Sequence, residues 1–262
     1  MSLDLEKEYN NRARVPEHPG IIESWARDSA AYRETRPPRV IRYGEGERHT
    51  IDLFEAGPGA ALMFIHGGYW QALDKSFFSH MAIGPNALGV SVAVPSYDLC
   101  PDVAVGDIIR QMRHACLALH GELHVPVVVS GHSAGGHLAA CMLATEDYVP
   151  FAYSISGLFE LTPLIETSLN ERLQLTAERA RAYSPLFWPA ATGKALDAVV
   201  GADESSEYLR QSAAIVAAWG EDGVATRYEE IESANHFTVI APLADPASTM
   251  CERLKQLVDR AR

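Results

Sequence analysis

The chain has 262 residues, of which 47% are hydrophobic and 21% charged, the balance of a globular domain; a disordered or collagen-like chain is excluded. That length suits one large domain able to bury its own core. Lys and Arg number 22 against 34 Asp and Glu, a net charge of −12, which repels phosphate backbones and anionic bilayer faces and argues against nucleic acid or membrane as a partner.

In chain order, the first 35 residues read as polar helix. Leu3 to Val15 is broken by Pro16-Glu17-His18-Pro19, and Gly20 to Glu34 follows. Ile22, Trp25 and Ala26, with Ala30 one turn on, give the second segment an apolar face that should pack on the domain. Arg36-Pro37-Pro38 ends it. Val40–Tyr43 and Thr50–Phe54, joined by a Gly-rich turn, read as a β-hairpin. From residue 60 the pattern becomes apolar strand, loop, helix, repeated. Strands are expected over 60–65, 91–94, 125–129, 151–155, 195–200 and 225–231, with helices over 103–119 and 134–144 and after each of the last two strands. Ala60 to Ile65 is an uninterrupted apolar run, the mark of a strand covered on both faces. Such alternation predicts an α/β domain with a mostly parallel sheet and helices on both faces. Residues 158–192 break the rhythm with short helices ending at Ser184-Pro185, and read as a cap over the carboxyl ends of the strands. The expected organisation is a single domain over 1–262 with an N-terminal helical segment, 1–35, and that cap insertion.

The first chemical signal is Gly131-His132-Ser133-Ala134-Gly135. The Gly-x-Ser-x-Gly pattern is common by composition, but here an apolar β-branched strand runs into it and a helix of small residues follows. That is the context of a nucleophile elbow, a tight turn that lifts a serine hydroxyl clear of the sheet. The bland alternative is a serine at a helix start with glycines present only for packing. The second signal is His66-Gly67-Gly68-Tyr69-Trp70 after the first long apolar strand, where a glycine loop can aim backbone N–H groups at a developing oxyanion. Gly68 and Tyr69 N–H, with Ala134 N–H after the serine, are the expected donors.

A serine nucleophile needs a base. Of ten histidines, His137 and His236 follow Ser133 in the order serine, acid, histidine; His137 sits on the helix beside the serine and cannot loop back to it. His236, after the last expected strand, is the candidate base. The acid should end the strand before it, where Asp203 and Glu204 compete; counting three residues from Gly201 favours Glu204.

These segments resemble the α/β-hydrolase superfamily, and within it the kynurenine formamidase (arylformamidase) and carboxylesterase branch. The resemblance rests on Glu8-Tyr9-Asn10-Asn11-Arg12, the His66–Trp70 loop, Ser96-Tyr97-Asp98-Leu99, Gly131–Leu138, Ser184-Pro185-Leu186 and Gly201–Gln211, and spans nearly the whole chain. Tyr-Trp in place of a third glycine in the oxyanion loop separates it from the hormone-sensitive-lipase-like branch, and Glu204 stands where many members carry Asp. The resemblance implies a serine hydrolase with triad Ser133, Glu204 and His236, acting on a small-molecule formamide or ester without metal or cofactor. A general short-chain carboxylesterase and, more remotely, a non-catalytic binding module are the alternatives.

Trp70 and Tyr69 either floor an aromatic substrate pocket, with Trp70 against the substrate, or pack beneath the cap. His120 and His124 stand four apart but lack the His-Glu-x-x-His order of zinc proteases, so a surface role is expected. Cys100, Cys116, Cys141 and Cys251 form no Cys-x-x-Cys pair and read as reduced, buried thiols of a cytoplasmic protein. The N-terminal segment lacks the apolar run of a signal peptide, and no stretch approaches the ~18 apolar residues of a membrane span. The oligomeric state is not legible.

Overall fold

A computed structural model describes residues 3–57, 59–189 and 192–261. The chain opens with two short helices, α1 (Leu5–Tyr9) and α2 (Asn11–Arg14), rather than one, because Asn10 intervenes and its side chain caps α2 by accepting from Ala13 N–H at 3.1 Å. The long helix α3 (His18–Thr35) follows. Its inward face carries Trp25 and Ser29, while Ala30 is exposed. The expected apolar face packs on the domain through Trp25 and Ile22, and departs from expectation at Ala30, whose place is taken by Ser29. The buried Ser29 hydroxyl is accommodated by a 2.8 Å hydrogen bond with His80 Nδ1.

Strands β1 (Arg39–Arg42) and β2 (Thr50–Phe54) pair antiparallel as the expected hairpin, and β2 also pairs antiparallel with the strand at Val92–Pro95. The remaining strands are β3 (Ala61–Ile65), β4 (Val92–Pro95), β5 (Val127–His132), β6 (Phe151–Ile155), β7 (Ala195–Gly201) and β8 (Ala225–Ile231). Among the described residues they form one eight-stranded sheet in the order β1-β2-β4-β3-β5-β6-β7-β8, parallel from β4 to β8. The helices between and after them are α4 (Ile83–Ala87), α5 (Val105–Leu123), α6 (Ala134–Thr145), α7 (Asn170–Leu173), α8 (Ala177–Ala182), α9 (Ser206–Glu221) and α10 (Thr249–Arg260).

The period-two geometry of a strand decides which core each side chain joins. Ala61, Met63 and Ile65 of β3 enter a core shared with α5, α6 and α9. Leu62 and Phe64 enter the opposite core, shared with α3 and α10. Burying each such large apolar side chain contributes about 2 kcal/mol, less the entropy of ordering it. Helices thus cover both faces, which is why β3 reads as an unbroken apolar run. Two buried carboxylates within the sheet are matched by cations: Asp52 by Arg33 and by Lys75 Nζ at 2.5 Å, and Asp197 by Arg253 Nε at 2.7 Å. The four cysteines are buried and unpaired. No helix of the described residues is long and apolar enough to cross a membrane.

Candidate active site

β5 runs directly into Ser133, the residue before α6. Ser133 takes φ 57° and ψ −117°, a strained conformation for a residue with a side chain. Neighbouring backbone holds it there: Ser133 N–H donates to Ile155 O at 2.8 Å, and His137 N–H donates to Ser133 O at 3.1 Å. The flanking glycines are required by space. A Cβ on Gly135 would lie 1.9 Å from Ile65 O, and one on Gly131 would lie 2.3 Å from Gly135 O. Both are far inside contact distance, so the elbow can form only where these two side chains are absent.

The His66–Trp70 loop passes over this turn. A Cβ on Gly67 would lie 3.1 Å from Ser133 Cβ. Gly68, Tyr69 and Trp70 all have positive φ, at 111°, 50° and 57°. The bend is held by Gln71 N–H to Gly68 O at 2.9 Å and Cys100 N–H to Trp70 O at 2.8 Å. Tyr97 supports its start, stacking on His66 at 4.2 Å and donating to His66 O at 2.9 Å. Gly68 and Tyr69 line the cavity that contains Ser133. Ala134 opens α6, so its N–H lies ahead of the first intrahelical acceptor and is free to serve an anion.

His236 is delivered by the loop after β8. Its Nδ1 lies 2.6 Å from Glu204 Oε2, and both side chains are buried. Glu204 Oε1 accepts from Gly201 N–H at 2.8 Å and from the Ser156 hydroxyl. A carboxylate only accepts, so His236 carries its proton on Nδ1 and offers Nε2 as the basic nitrogen. Asp203 is exposed, with its N–H bonded to Ala234 O at 3.0 Å. Of the two adjacent carboxylates, Glu204 is therefore the one at the histidine. Behind His236 the ring of His132 lies 4.7 Å away. Burial, and then the neighbouring His236, hold the His132 imidazole well below its ordinary pKa and so neutral.

Ser133 and His236 share one cavity of about 240 Å³. Its walls come from α1 and α2 (Glu6, Tyr9, Asn11), from Tyr69 and Leu73, from Phe237, and from Thr167 to Leu169 with Arg172 in the 158–192 interval. Trp70 does not line it. The ring is completely buried, with its face or edge at right angles to His137 of α6 and 5.0 Å away, in the core beneath the sheet-covering helices. Of the adjacent aromatic pair only Tyr69 reaches the cavity, because the chain turns over at both residues. Asn11, Tyr9 and Tyr208 were not singled out from the sequence as site residues. They join Tyr69 in one hydrogen-bonded cluster beside Ser133: Asn11 Nδ2 lies 2.9 Å from Tyr208 Oη, across 197 residues of chain. The sequence signals for these three residues are the Glu8–Arg12 and Gly201–Gln211 stretches, which carry the resemblance without assigning Tyr9, Asn11 or Tyr208 a role.

The remaining histidines with motif-like spacing are structural. His120 stacks on Tyr148 at 4.4 Å and meets Val125 O at 2.7 Å, and His124 is the left-handed cap of α5. No group of His, Cys, Asp or Glu with metal-binding geometry occurs among the described residues.

No protein-family model matches the chain. It is 36% identical to a candidate thioesterase from Silicibacter sp. of known structure, with a TM-score of 0.83, over 96% of this chain and 98% of that one. It is 27% identical over 239 residues to kynurenine formamidase of Danio rerio, covering 84% of this chain and 82% of the relative. An esterase from Pyrobaculum calidifontis, at 15% identity, superposes with a TM-score of 0.73 over 93% of this chain and 92% of that one, a likeness of fold alone. With its sheet order and the strand–turn–helix at Ser133, the chain belongs to the α/β-hydrolase superfamily, and within it is similar to kynurenine formamidases and esterases.

Proposed function

We propose that the protein is a serine hydrolase that cleaves a small formamide or ester through an acyl-enzyme, with N-formylkynurenine, giving kynurenine and formate, as the preferred substrate. The observation that carries this reading is the joint placement of Ser133 and His236 in one small cavity, with His236 fixed by the 2.6 Å contact to Glu204. In this account His236 Nε2 takes the Ser133 proton as Oγ bonds to the carbonyl carbon. The oxyanion is met by the N–H groups of Gly68, Tyr69 and Ala134. His236 then gives the proton to the leaving atom, the bond from the acyl carbon to that atom breaks, and the amine or alcohol departs. Water, deprotonated by the same histidine, releases the acid and restores Ser133. Glu204 stays ionised throughout and steadies the imidazolium. The 158–192 interval acts as the cap, and Trp70 supports the loop from beneath without touching substrate.

The kynurenine formamidase relatives and the modest cavity favour a small acyl group on an aromatic amine over a long-chain ester. The substrate is a small molecule, and we place the protein in the cytoplasm. The test is kcat/KM for N-formylkynurenine beside p-nitrophenyl acetate. A formamide value at least a hundredfold above the ester value supports the formamidase reading. Ester turnover without formamide turnover replaces it with a short-chain carboxylesterase.

A further inference from the structure

The cavity that contains Ser133 has walls of two kinds. Ile22, Leu73, Leu169 and Phe237 line it with apolar surface suited to an aromatic ring. Arg12 of α2 and Arg172 of α7 line it as well. The one carboxylate among the lining residues is Glu6, so a chain of net charge −12 presents an excess of cations here. Glu6 is engaged with the cap: its carboxylate accepts from Ser168 N–H at 2.8 Å and from the Ser168 hydroxyl at 2.9 Å. Among the described residues no carboxylate forms an ion pair with Arg12 or Arg172.

Arg172 is nonetheless held in place. Its Nη2 donates to Cys100 O at 3.1 Å, and Cys100 N–H donates to Trp70 O at 2.8 Å. Two hydrogen bonds thus connect the guanidinium to the loop that carries Gly68 and Tyr69. The cap turn before it is tied to the same loop by Gln71 Nε2, which donates to Leu169 O at 2.9 Å. One guanidinium N–H is spent on Cys100, and the rest of the fork is open. A planar cation with donors to spare, on the wall of a cavity of about 240 Å³ that also holds Ser133 and His236, suits a carboxylate on the bound substrate.

We propose that Arg172, seconded by Arg12, binds a carboxylate carried on the leaving group, so that the site selects anionic aromatic amides and esters over neutral ones of the same shape. The proposal rests on the serine hydrolase reading above. With a small acyl group on Ser133, the rest of the substrate extends into the cavity, its ring against the apolar wall and its charged end at the arginines. Both arginines are exposed, so water and salt screen the contact and the selectivity is moderate. The contact is the same before and during acyl transfer, so it acts through KM rather than kcat. No proton moves at either arginine.

The experiment compares N-formylkynurenine with its carboxamide at low salt. If formamides are not turned over, the acetate esters of meta-hydroxyphenylpropanoate and meta-hydroxyphenylpropanamide read the same quantity, so an esterase does not escape the test. The carboxylate-to-carboxamide ratio of kcat/KM is expected to exceed about fivefold in the parent and to fall about threefold or more in Arg172→Gln. Arg172→Lys should recover part of it, and Arg172→Gln with Arg12→Gln should bring it near one. Arg14→Gln removes the same charge from α2 at a residue outside this cavity, and should leave the ratio within twofold. A parent ratio of one or less overturns the proposal, as does equal loss on both substrates in the double variant or an equal fall in Arg14→Gln. If Arg172→Gln does not fold, as judged by circular dichroism, Arg12→Gln decides in the same way. Ser133→Ala separates the two levels. Retained hydrolysis defeats the serine mechanism itself, whereas lost hydrolysis with unchanged ratios in the arginine variants defeats only the carboxylate site.

Discussion

His132 Nε2 lies 2.8 Å from the backbone carbonyl oxygen of His236, across 104 residues of chain, and so ties the residue before the candidate nucleophile to the loop that carries the candidate base. The carbonyl accepts, so the imidazole N–H of His132 is the donor. The same ring meets the edge of Trp25 on α3 at 6.4 Å, which makes His132 a strut between the elbow and the first long helix.

Replacing that strut should separate position from chemistry. His132→Phe removes the donor and leaves a buried carbonyl unmet, at a cost of about 1–3 kcal/mol in stability. It should also lower kcat by about 10- to 100-fold through displacement of His236. His132→Gln, which keeps a donor on a side chain of similar reach, should recover most of the loss. Equal loss in both variants, measured by urea unfolding and steady-state kinetics, would count against a positioning role.

The carboxylate assignment is tested by a pair of neighbours. Glu204→Gln keeps the size of the side chain but offers His236 the wrong hydrogen-bonding partner, and should lower kcat by about 10³- to 10⁴-fold. Asp203→Asn, at an exposed position, should change kcat less than threefold. The reverse order of effects would move the acid to Asp203.

Much of this arrangement is legible in the sequence, for identifiable reasons. The apolar runs of β3, β5 and β7 announce strands because both faces of the sheet are covered, and the glycines at 131 and 135 announce the elbow because nothing larger fits. The count from Gly201 points to Glu204 because the turn is a tight one, with Glu204 N–H bonded to Gly201 O at 3.1 Å. Other features are set by contacts with no local pattern. Whether Tyr69 or Trp70 reaches the cavity depends on two consecutive left-handed residues. The inward face of α3 includes Ser29 because His80, 51 residues away, satisfies its hydroxyl. The Asn11–Tyr69–Tyr208 cluster joins both ends of the chain and leaves no periodic trace.

The glycine argument predicts opposite signs at two positions. Gly135→Ala must displace the Ile65 carbonyl and should destabilise the protein by more than about 3 kcal/mol, or abolish soluble expression. Gly20→Ala lies within α3 with open space around the added methyl, and should stabilise by up to about 1 kcal/mol. Urea midpoints moving in the same direction would contradict this reading.

Stability should fall as the solution is acidified through the histidine range. Burial lowers His66, His80 and His137 to about 4 from an ordinary 6.5. Between those values the unfolded chain binds protons that the folded chain refuses, so unfolding becomes easier as pH drops. The contribution of these three groups is complete above pH 6.5 and declines below it. Urea midpoints at pH 8, 7, 6 and 5 should therefore be nearly level at first and then fall, before most carboxylates titrate. A midpoint that rises from pH 6.5 to 5 would show that these imidazoles are not held neutral in the fold.

The most direct measurement of the central claim is labelling with a fluorophosphonate, followed by peptide mass mapping and a hydrolysis assay on the same sample. The account predicts one equivalent of adduct, located on Ser133, with loss of formamide and ester hydrolysis in proportion to labelling, and no adduct in Ser133→Ala. Hydrolysis that persists after full labelling of Ser133, or at the parent rate in Ser133→Ala, would contradict it.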